Sequence, residues 1–94
     1  MHLESTIEKH FCKRVAELGG LSPKTRLIGR RGFFDRMVVL PGGRVFFVEL
    51  KRPAKSRTYE QQKTIHEEYR ALGANVLLLY TIEQVDEWYK TQLS

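Results

Sequence analysis

Two runs of β-prone residues constrain the fold of this chain more than any other feature. The first covers Asp35 to Leu40, the second covers Arg44 to Leu50, and Pro41-Gly42-Gly43 separates them. Two such runs joined by a short turn rich in Pro and Gly are typical of an antiparallel hairpin. We therefore predict a β-hairpin in the middle of the chain.

An amphipathic helix is predicted before the hairpin. Gly19-Gly20 would end this helix as a left-handed cap. Ser5 and Glu8 match a capping box, which would leave Glu4 just outside the helix, so its first residue stays open between two positions. The apolar residues recur at helical spacing: Leu3, Ile7, Phe11, Val15 and Leu18.

The remaining segments alternate between the two element types. Lys24 to Ile28 favours a short strand, and a second helix would run from a cap at Thr58 to Gly73. The apolar run from Asn75 to Tyr80 predicts a strand buried on both faces, followed by a helix from Ile82. The order αβββαβα predicts an α/β fold with a mixed sheet flanked by helices.

The length of 94 residues fits one domain, 1–94. A core this small leaves much apolar surface exposed, which favours a homodimer. No apolar run approaches the roughly 18 to 20 residues that cross a bilayer, and the N-terminus does not resemble a signal peptide. Cys12, the one cysteine, fits a reducing compartment. We expect a soluble cytoplasmic protein with no membrane partner.

Positive charge is concentrated in the middle of the chain. Residues 24–57 contain ten basic residues and two acidic ones, a net charge of +8, whereas the rest of the chain carries −3. Such an excess is typical of a protein that binds a phosphate-rich partner. A solvated basic surface is the alternative. Against it, the two acidic residues, Asp35 and Glu49, occupy related positions in the hairpin.

The hairpin register relates these two carboxylates to each other. Pairing Leu40 with Arg44 across the turn places Asp35 opposite Glu49, although a bulge in the turn would shift the pairing by one residue. Two like charges in that position destabilise a sheet unless a positive group lies between them. A divalent cation would remove this cost.

The residues around Glu49 suit a metal-dependent hydrolysis of phosphodiesters. Oxygen ligands select hard cations, so Mg²⁺ or Mn²⁺ is expected. Lys51 projects from the same strand face as Glu49 and could hold the attacking water or stabilise phosphoryl charge. The Leu50 side chain would point into the core and leave its carbonyl oxygen as a further ligand. A Glu-x-Lys triplet alone is a weak signal, but this one ends a strongly apolar strand, where charges are costly.

These residues resemble the PD-(D/E)xK nuclease superfamily and, within it, the VRR-NUC family of small phage and bacterial nucleases. The similar segments are residues 31–36, Val48-Glu49-Leu50-Lys51, and Gln62 on the second helix. The family typically has Gly-x-Pro-Asp-Arg, Glu-x-Lys and a helix-borne Gln in this order. Phe34 stands where the family usually has Pro; because that Pro shapes the turn and is not a ligand, the departure concerns the local backbone rather than the chemistry.

The resemblance implies a restriction-endonuclease-like core and further site residues. Glu4 would be a metal ligand beside Asp35, Glu49 and the Leu50 carbonyl, although a frayed, solvated first turn is the alternative. Gln62 would join Asp35, Glu49 and Lys51 as catalytic residues by orienting the lysine or the nucleophile. Gln61 competes with it, but capping explains Gln61 better.

The resemblance also implies a substrate and an assembly. Stand-alone members act as homodimers on branched DNA such as Holliday junctions, in the bacterial cytoplasm if the protein is phage-encoded. Two alternatives stay open: a DNA-binding module without catalysis, and a nuclease for linear DNA or RNA. The expected phosphate contacts come from the basic residues flanking Asp35 and Lys51, namely Lys24, Arg26, Arg30, Arg31, Arg36, Arg52, Lys55 and Arg57.

Overall fold

The computed structural model describes residues 3–25, 33–50 and 59–93, with the side chains of all of these except 3–5 and 59–62. The sheet of the described residues has the order β1-β2-β3, in which β1 is antiparallel and β3 parallel to the central β2. This confirms the predicted α/β fold with a mixed sheet flanked by helices. The elements are α1 (Leu3–Glu17), β1 (Arg36–Leu40), β2 (Arg44–Leu50), α2 (Tyr59–Ala71), β3 (Asn75–Leu79) and α3 (Ile82–Leu93).

The hairpin has the register that the sequence predicts. Five pairs run from Leu40–Arg44 to Arg36–Val48, and the Leu40 carbonyl accepts a hydrogen bond from the Gly43 amide at 3.1 Å. Gly42 and Gly43 have φ angles of 88° and 77°. This left-handed region is open to glycine at little cost, which explains why the turn contains two glycines. The turn thus fixes the alignment of the two strands.

Side chains alternate between the two faces of the sheet, and each face has its own partner helices. Val48 and Leu50 point to the face covered by α1 and α3, whereas Phe47 points to the face covered by α2, where its ring lies 5.0 Å from that of Tyr69. Glu49 shares the face of Phe47 because strand side chains alternate. The core under α1 and α3 contains Ile7, Phe11, Val15, Val38, Leu40, Val48, Leu50, Leu79, Val85 and Trp88.

Helices α1 and α3 are also joined by charged groups. A ring nitrogen of His10 donates to Asp86 Oδ1 at 2.7 Å, and Arg14 Nε donates to the same oxygen at 3.1 Å. These hydrogen bonds, first that of His10 and then that of Arg14, lower the pKa of the Asp86 carboxyl below its usual value. The Arg14 guanidinium also lies 4.0 Å from the centre of the Tyr89 ring. This cluster ties the two helices together at the rim of the core.

Two sequence predictions differ from the structure. Of the strand predicted over 24–28, only Lys24 and Thr25 are described, and residues 21–25 meet β1 through two isolated bridges rather than a continuous strand. Strand β3 is only half-buried over most of its length, with Leu79 alone fully buried. The reason is its position, since β3 is an edge strand of the described sheet, and an apolar run does not distinguish edge from centre.

The first helix follows the longer of its two predicted extents. It begins at Leu3, so the backbone of Glu4 is helical. Gly19 has a φ of 81°, and the Gly20 amide donates to the Val15 carbonyl at 3.0 Å, which confirms the predicted glycine cap. Within the described ranges, no helix combines the length and the apolar character that crossing a membrane requires.

Candidate active site

Asp35 lies at the amino end of β1 and is fixed in place by its backbone and its side chain. Its amide donates to the Val48 carbonyl at 2.9 Å, and its carbonyl accepts from the Thr25 amide at 3.0 Å. Its Oδ2 accepts a hydrogen bond from the Leu50 amide at 2.9 Å. The two backbone hydrogen bonds fix the main chain of Asp35, and the Leu50 amide restrains its carboxylate, as a preorganised site requires.

The pairing of the two strands ends one residue earlier than predicted. The last regular pair is Arg36–Val48, and the Asp35 amide bonds to Val48 instead of continuing the ladder to Glu49. The predicted direct facing of Asp35 and Glu49 within the ladder is therefore not formed. The Asp35 carboxylate instead reaches the Leu50 amide, one residue beyond Glu49. This hydrogen bond holds the Asp35 carboxylate at the residue that follows Glu49, at the carboxyl end of β2.

Glu49 is one of the most buried charged residues that the structure describes. The residue is 3% exposed and lies near the end of the central strand, on the face that α2 covers. Removing a carboxylate from water costs free energy unless cations or hydrogen-bond donors surround it. A carboxylate in this position therefore favours a cation or hydrogen-bond donors close to it.

Leu50 combines an apolar and a polar role at the same position. Its side chain is 1% exposed and packs in the core under α1 and α3, as predicted. Its amide points to the β1 side of β2, where Asp35 accepts its hydrogen bond. The amide and carbonyl of one strand residue point to the same side, so the Leu50 carbonyl is expected to point toward Asp35 as well.

The two residues before Asp35 belong to an aromatic cluster. Its members are Phe33, Phe34, Phe47, His66 and Tyr69. Phe34 is 1% exposed, and its ring stacks on that of His66 with centroids 4.7 Å apart and an interplanar angle of 7°. The Phe34 ring also contacts Phe47 and Tyr69 at 5.3 Å each.

This cluster explains how the chain accommodates Phe34, the residue that departs from the family pattern. Phe34 stands where a proline is usual, and it fixes the chain before Asp35 by burial under α2 instead of by a rigid ring in the backbone. The Thr25 hydroxyl adds a hydrogen bond to the Phe34 carbonyl. Burial of such a ring contributes about 1.5 to 3 kcal/mol, enough to fix a short segment.

Several predicted site residues, or their side chains, lie outside the part of the chain that the structure describes. The side chains of Glu4 and Gln62 are not described, although both backbones are helical, in α1 and α2. Gln62 is three residues before the buried Ile65, one turn along α2. Their roles, and those of the residues outside the described ranges, stay predictions. The latter are Lys51, Arg26, Arg30, Arg31, Arg52, Lys55 and Arg57.

Two of the predicted phosphate-binding residues are described, and they differ from each other. Arg36 has a side chain only 14% exposed, with Nη2 at 2.9 Å from Glu8 Oε2 and Nη1 donating to the Ser22 carbonyl. This arrangement anchors α1 to β1, a role that the sequence did not predict because Glu8 is 28 residues away. Lys24 is exposed and forms an isolated bridge with Arg36. Contact of either residue with nucleic acid stays a prediction.

The predicted metal site includes a side chain that the structure does not describe. Among the residues whose side chains are described, no group of three or more His, Cys, Asp or Glu is placed to hold a metal ion. The third carboxylate of the predicted set, Glu4, is not among those side chains. Asp35 and Glu49 are thus the described part of a larger predicted set.

The fold and this site together define a class of protein. Its described part is a small α/β domain with Glu49, and the hydrogen bond of Asp35, at the carboxyl end of the central strand of a mixed sheet, and in the sequence both acidic residues lie in a basic segment. A solved structure described as a VRR_NUC domain has the same fold, with a TM-score of 0.87, 35% sequence identity, and coverage of 96% of this chain and 97% of that one.

A sequence relative comes from a phage. The protein named "Putative nuclease p44" of Acyrthosiphon pisum secondary endosymbiont phage 1 is 42% identical over 76 residues, which is 81% of each chain. No protein-family model matches the sequence. The two similarities extend over most of the chain, and the chain belongs to the VRR-NUC family of nuclease domains.

Proposed function

We propose that this protein is a divalent-metal-dependent endonuclease that hydrolyses phosphodiester bonds of DNA. The observation that supports the proposal most strongly is the strand-end geometry. The Asp35 carboxylate accepts a hydrogen bond from the amide of Leu50, the residue that directly follows the buried Glu49 in β2. Both similar proteins carry a nuclease designation.

The residues present fit a hard divalent cation. The proposed ligands are carboxylates of Asp35, Glu49 and Glu4 and the carbonyl of Leu50, which form an oxygen-only set suited to Mg²⁺ or Mn²⁺. Carboxylates that share a cation repel each other in its absence, so the bound ion would stabilise the folded protein as well as serve catalysis. When bound, such an ion lowers the pKa of a coordinated water and neutralises charge on phosphoryl oxygens.

The chain's own residues would contribute positioning and charge. Two backbone hydrogen bonds would hold the main chain of Asp35 and the Leu50 amide would hold its carboxylate before substrate arrives, which limits reorganisation at the moment of reaction. Lys51, which follows Glu49 by two residues in the sequence, would hold the attacking water by its ammonium group or stabilise charge on the phosphoryl oxygens. Gln62 would orient that lysine or the water from helix α2.

The proposed substrate is branched DNA, such as a Holliday junction, cut by a homodimer. The net charge of +8 over residues 24–57 supports a polyanionic substrate. Two copies of the site in one particle would allow two strands of a junction to be cut. A DNA-binding module without catalysis is the competing function, and the carboxylates of Asp35 and Glu49 argue against it, because a site that only binds phosphate gains nothing from negative charge.

The experiment is cleavage of labelled four-way, flap and linear DNA, and of an RNA of the same sequence, with Mg²⁺, Mn²⁺ or EDTA. We expect cleavage of branched DNA with either metal and none in EDTA. Loss of cleavage in Asp35→Ala and Lys51→Ala, with Lys90→Ala retaining wild-type rates as a matched control, would support the assigned residues. Full cleavage in EDTA would refute the metal dependence, and tight binding without cleavage under every condition would establish the binding module.

The dimer has its own measurement. Light scattering after gel filtration is expected to give twice the chain mass of 11.0 kDa. A strict monomer, free or bound to a junction, would contradict paired cutting by one particle while leaving the hydrolytic site untouched.

A further inference from the structure

A cleft of about 390 Å³ lies between α1 and the amino end of β1, on the face of the sheet opposite Glu49. Lys9 and Lys24 are exposed, whereas Arg36 and Cys12 are half-buried. An opening of this size holds a phosphate group together with part of its sugar. The residues that line the cleft are Glu8, Lys9, Cys12, Lys24 and Arg36.

The cleft has an excess of positive charge. Its lining contains three cations and one carboxylate, so its net charge is +2, and the carboxylate is paired with Arg36 at 2.9 Å. In the part of the chain that the structure describes, neither Lys9 nor Lys24 forms an ion pair. The bridge between Lys24 and Arg36 places two like charges opposite each other, which is destabilising unless an anion lies between them. Glu8 offsets only part of this repulsion.

The position of the cleft connects it to the strand-end site. Arg36 directly follows Asp35, and Thr25, the residue after Lys24, donates its amide to the Asp35 carbonyl. Arg36 points to the α1 side of the sheet, whereas the Glu49 carboxylate lies on the α2 side. A nucleic-acid strand that crosses the amino end of β1 could therefore contact both sites.

We propose that this cleft binds a backbone phosphate of the DNA strand that flanks the scissile bond, with Lys9 and Lys24 as its principal contacts. This inference rests on the proposed function, because it takes DNA as the ligand. It adds a phosphate subsite on the opposite face of the sheet from Glu49, and it includes Lys9, which lies outside the basic segment of residues 24–57.

The first test measures how the affinity for DNA in EDTA depends on salt. Fluorescence anisotropy of a labelled duplex gives this affinity between 50 and 200 mM NaCl. Each neutralised phosphate contributes about 0.9 to the slope of log affinity against log salt, which is roughly 3.5-fold over this range. The Lys9→Ala/Lys24→Ala variant is expected to lose about one unit of slope. The matched Lys13→Ala/Lys90→Ala variant removes the same charge outside the cleft and is expected to keep the wild-type slope.

The second test uses Cys12 as a reporter, because it is the one cysteine of the chain. Saturating DNA is expected to slow the maleimide modification of Cys12 by at least about fivefold. Inorganic phosphate at the same ionic strength is expected to have little effect, because a single phosphate lacks the contacts of the whole strand. A Cys12→Ser variant verifies that the label reports this position.

Three results would overturn the proposal. They are equal slopes for the two double variants, undiminished modification of Cys12 under saturating DNA, and protection by inorganic phosphate alone, which would indicate a free-anion site. These readouts measure binding in EDTA, so they are distinct from a failure of the proposed function. Cleavage together with equal salt slopes for the two double variants would refute only the phosphate-binding role of the cleft. A reduced salt slope for Lys9→Ala/Lys24→Ala without any cleavage would refute only the catalytic proposal.

Discussion

The hydrogen bond between Asp35 and the Leu50 amide separates the structural from the catalytic role of this carboxylate. Asp35→Ala removes the acceptor, and a hydrogen bond to a charged group contributes about 1.5 to 3 kcal/mol. At about 2 kcal/mol, a domain of this size would lose roughly 8 to 16 °C in Tm. Asp35→Asn keeps an oxygen in the same place and removes the negative charge beside Glu49, so its Tm in metal-free buffer should stay within about 4 °C of the wild type.

Activity should respond differently from stability. Both variants lack the charge proposed to bind the metal, so both should lose cleavage by about 100-fold or more, the scale seen when a preorganised electrostatic group is removed. The assay pairs thermal unfolding in EDTA, followed by circular dichroism, with single-turnover cleavage in Mg²⁺. Equal destabilisation of the two variants, or an active Asp35→Asn, would refute the separation of roles.

Three further predictions concern stability. Phe34→Ala should cost about 3 to 5 kcal/mol, because the ring is buried among aromatic rings, whereas Leu72→Ala, at 87% exposed, should cost almost nothing in the same denaturant titration. Gly20→Ala should cost about 1 to 3 kcal/mol, because its added Cβ would lie 2.6 Å from a side-chain carbon of β1. The stability difference between wild type and Asp86→Asn should shrink as pH falls below about 4.

The sign of the pH prediction follows from the lowered pKa of Asp86. A carboxyl whose pKa is lower in the folded than in the unfolded protein adds stability above its unfolded pKa and loses it as pH falls through the folded one. Chemical denaturation of wild type and Asp86→Asn between pH 7 and 2.5 measures this difference. A constant difference over that range would contradict the assignment. Likewise, wild-type stability of Phe34→Ala or Gly20→Ala would contradict the packing described around those residues.

Local patterns predicted most of the fold. The Pro-Gly-Gly turn and the alternation of apolar residues defined the hairpin register, which the structure confirms over five pairs. Helical spacing and Gly19 located α1 and its cap. These features depend on residues close in sequence, where periodicity and turn chemistry are informative.

Features that depend on distant residues were not predictable in the same way. The Glu8–Arg36 ion pair, the stacking of Phe34 on His66 and the hydrogen bond from Leu50 to Asp35 each join different segments. None leaves a periodic signal. Register alone placed Asp35 opposite Glu49. In the structure the pairing ends one residue earlier, because the Asp35 amide donates its hydrogen bond to the Val48 carbonyl. The roles of the candidate site residues thus stay predictions, and the backbone positions of Asp35 and Glu49 required the structure.

The most direct test of the proposed centre is the single-turnover cleavage rate of Glu49→Gln relative to the wild type, measured on one branched DNA in saturating Mg²⁺. Gln has nearly the shape of Glu, so this buried position should stay folded, which circular dichroism verifies. A metal-dependent centre at Asp35 and Glu49 predicts a loss of about 100-fold or more. A folded Glu49→Gln protein that cleaves at the wild-type rate would contradict it.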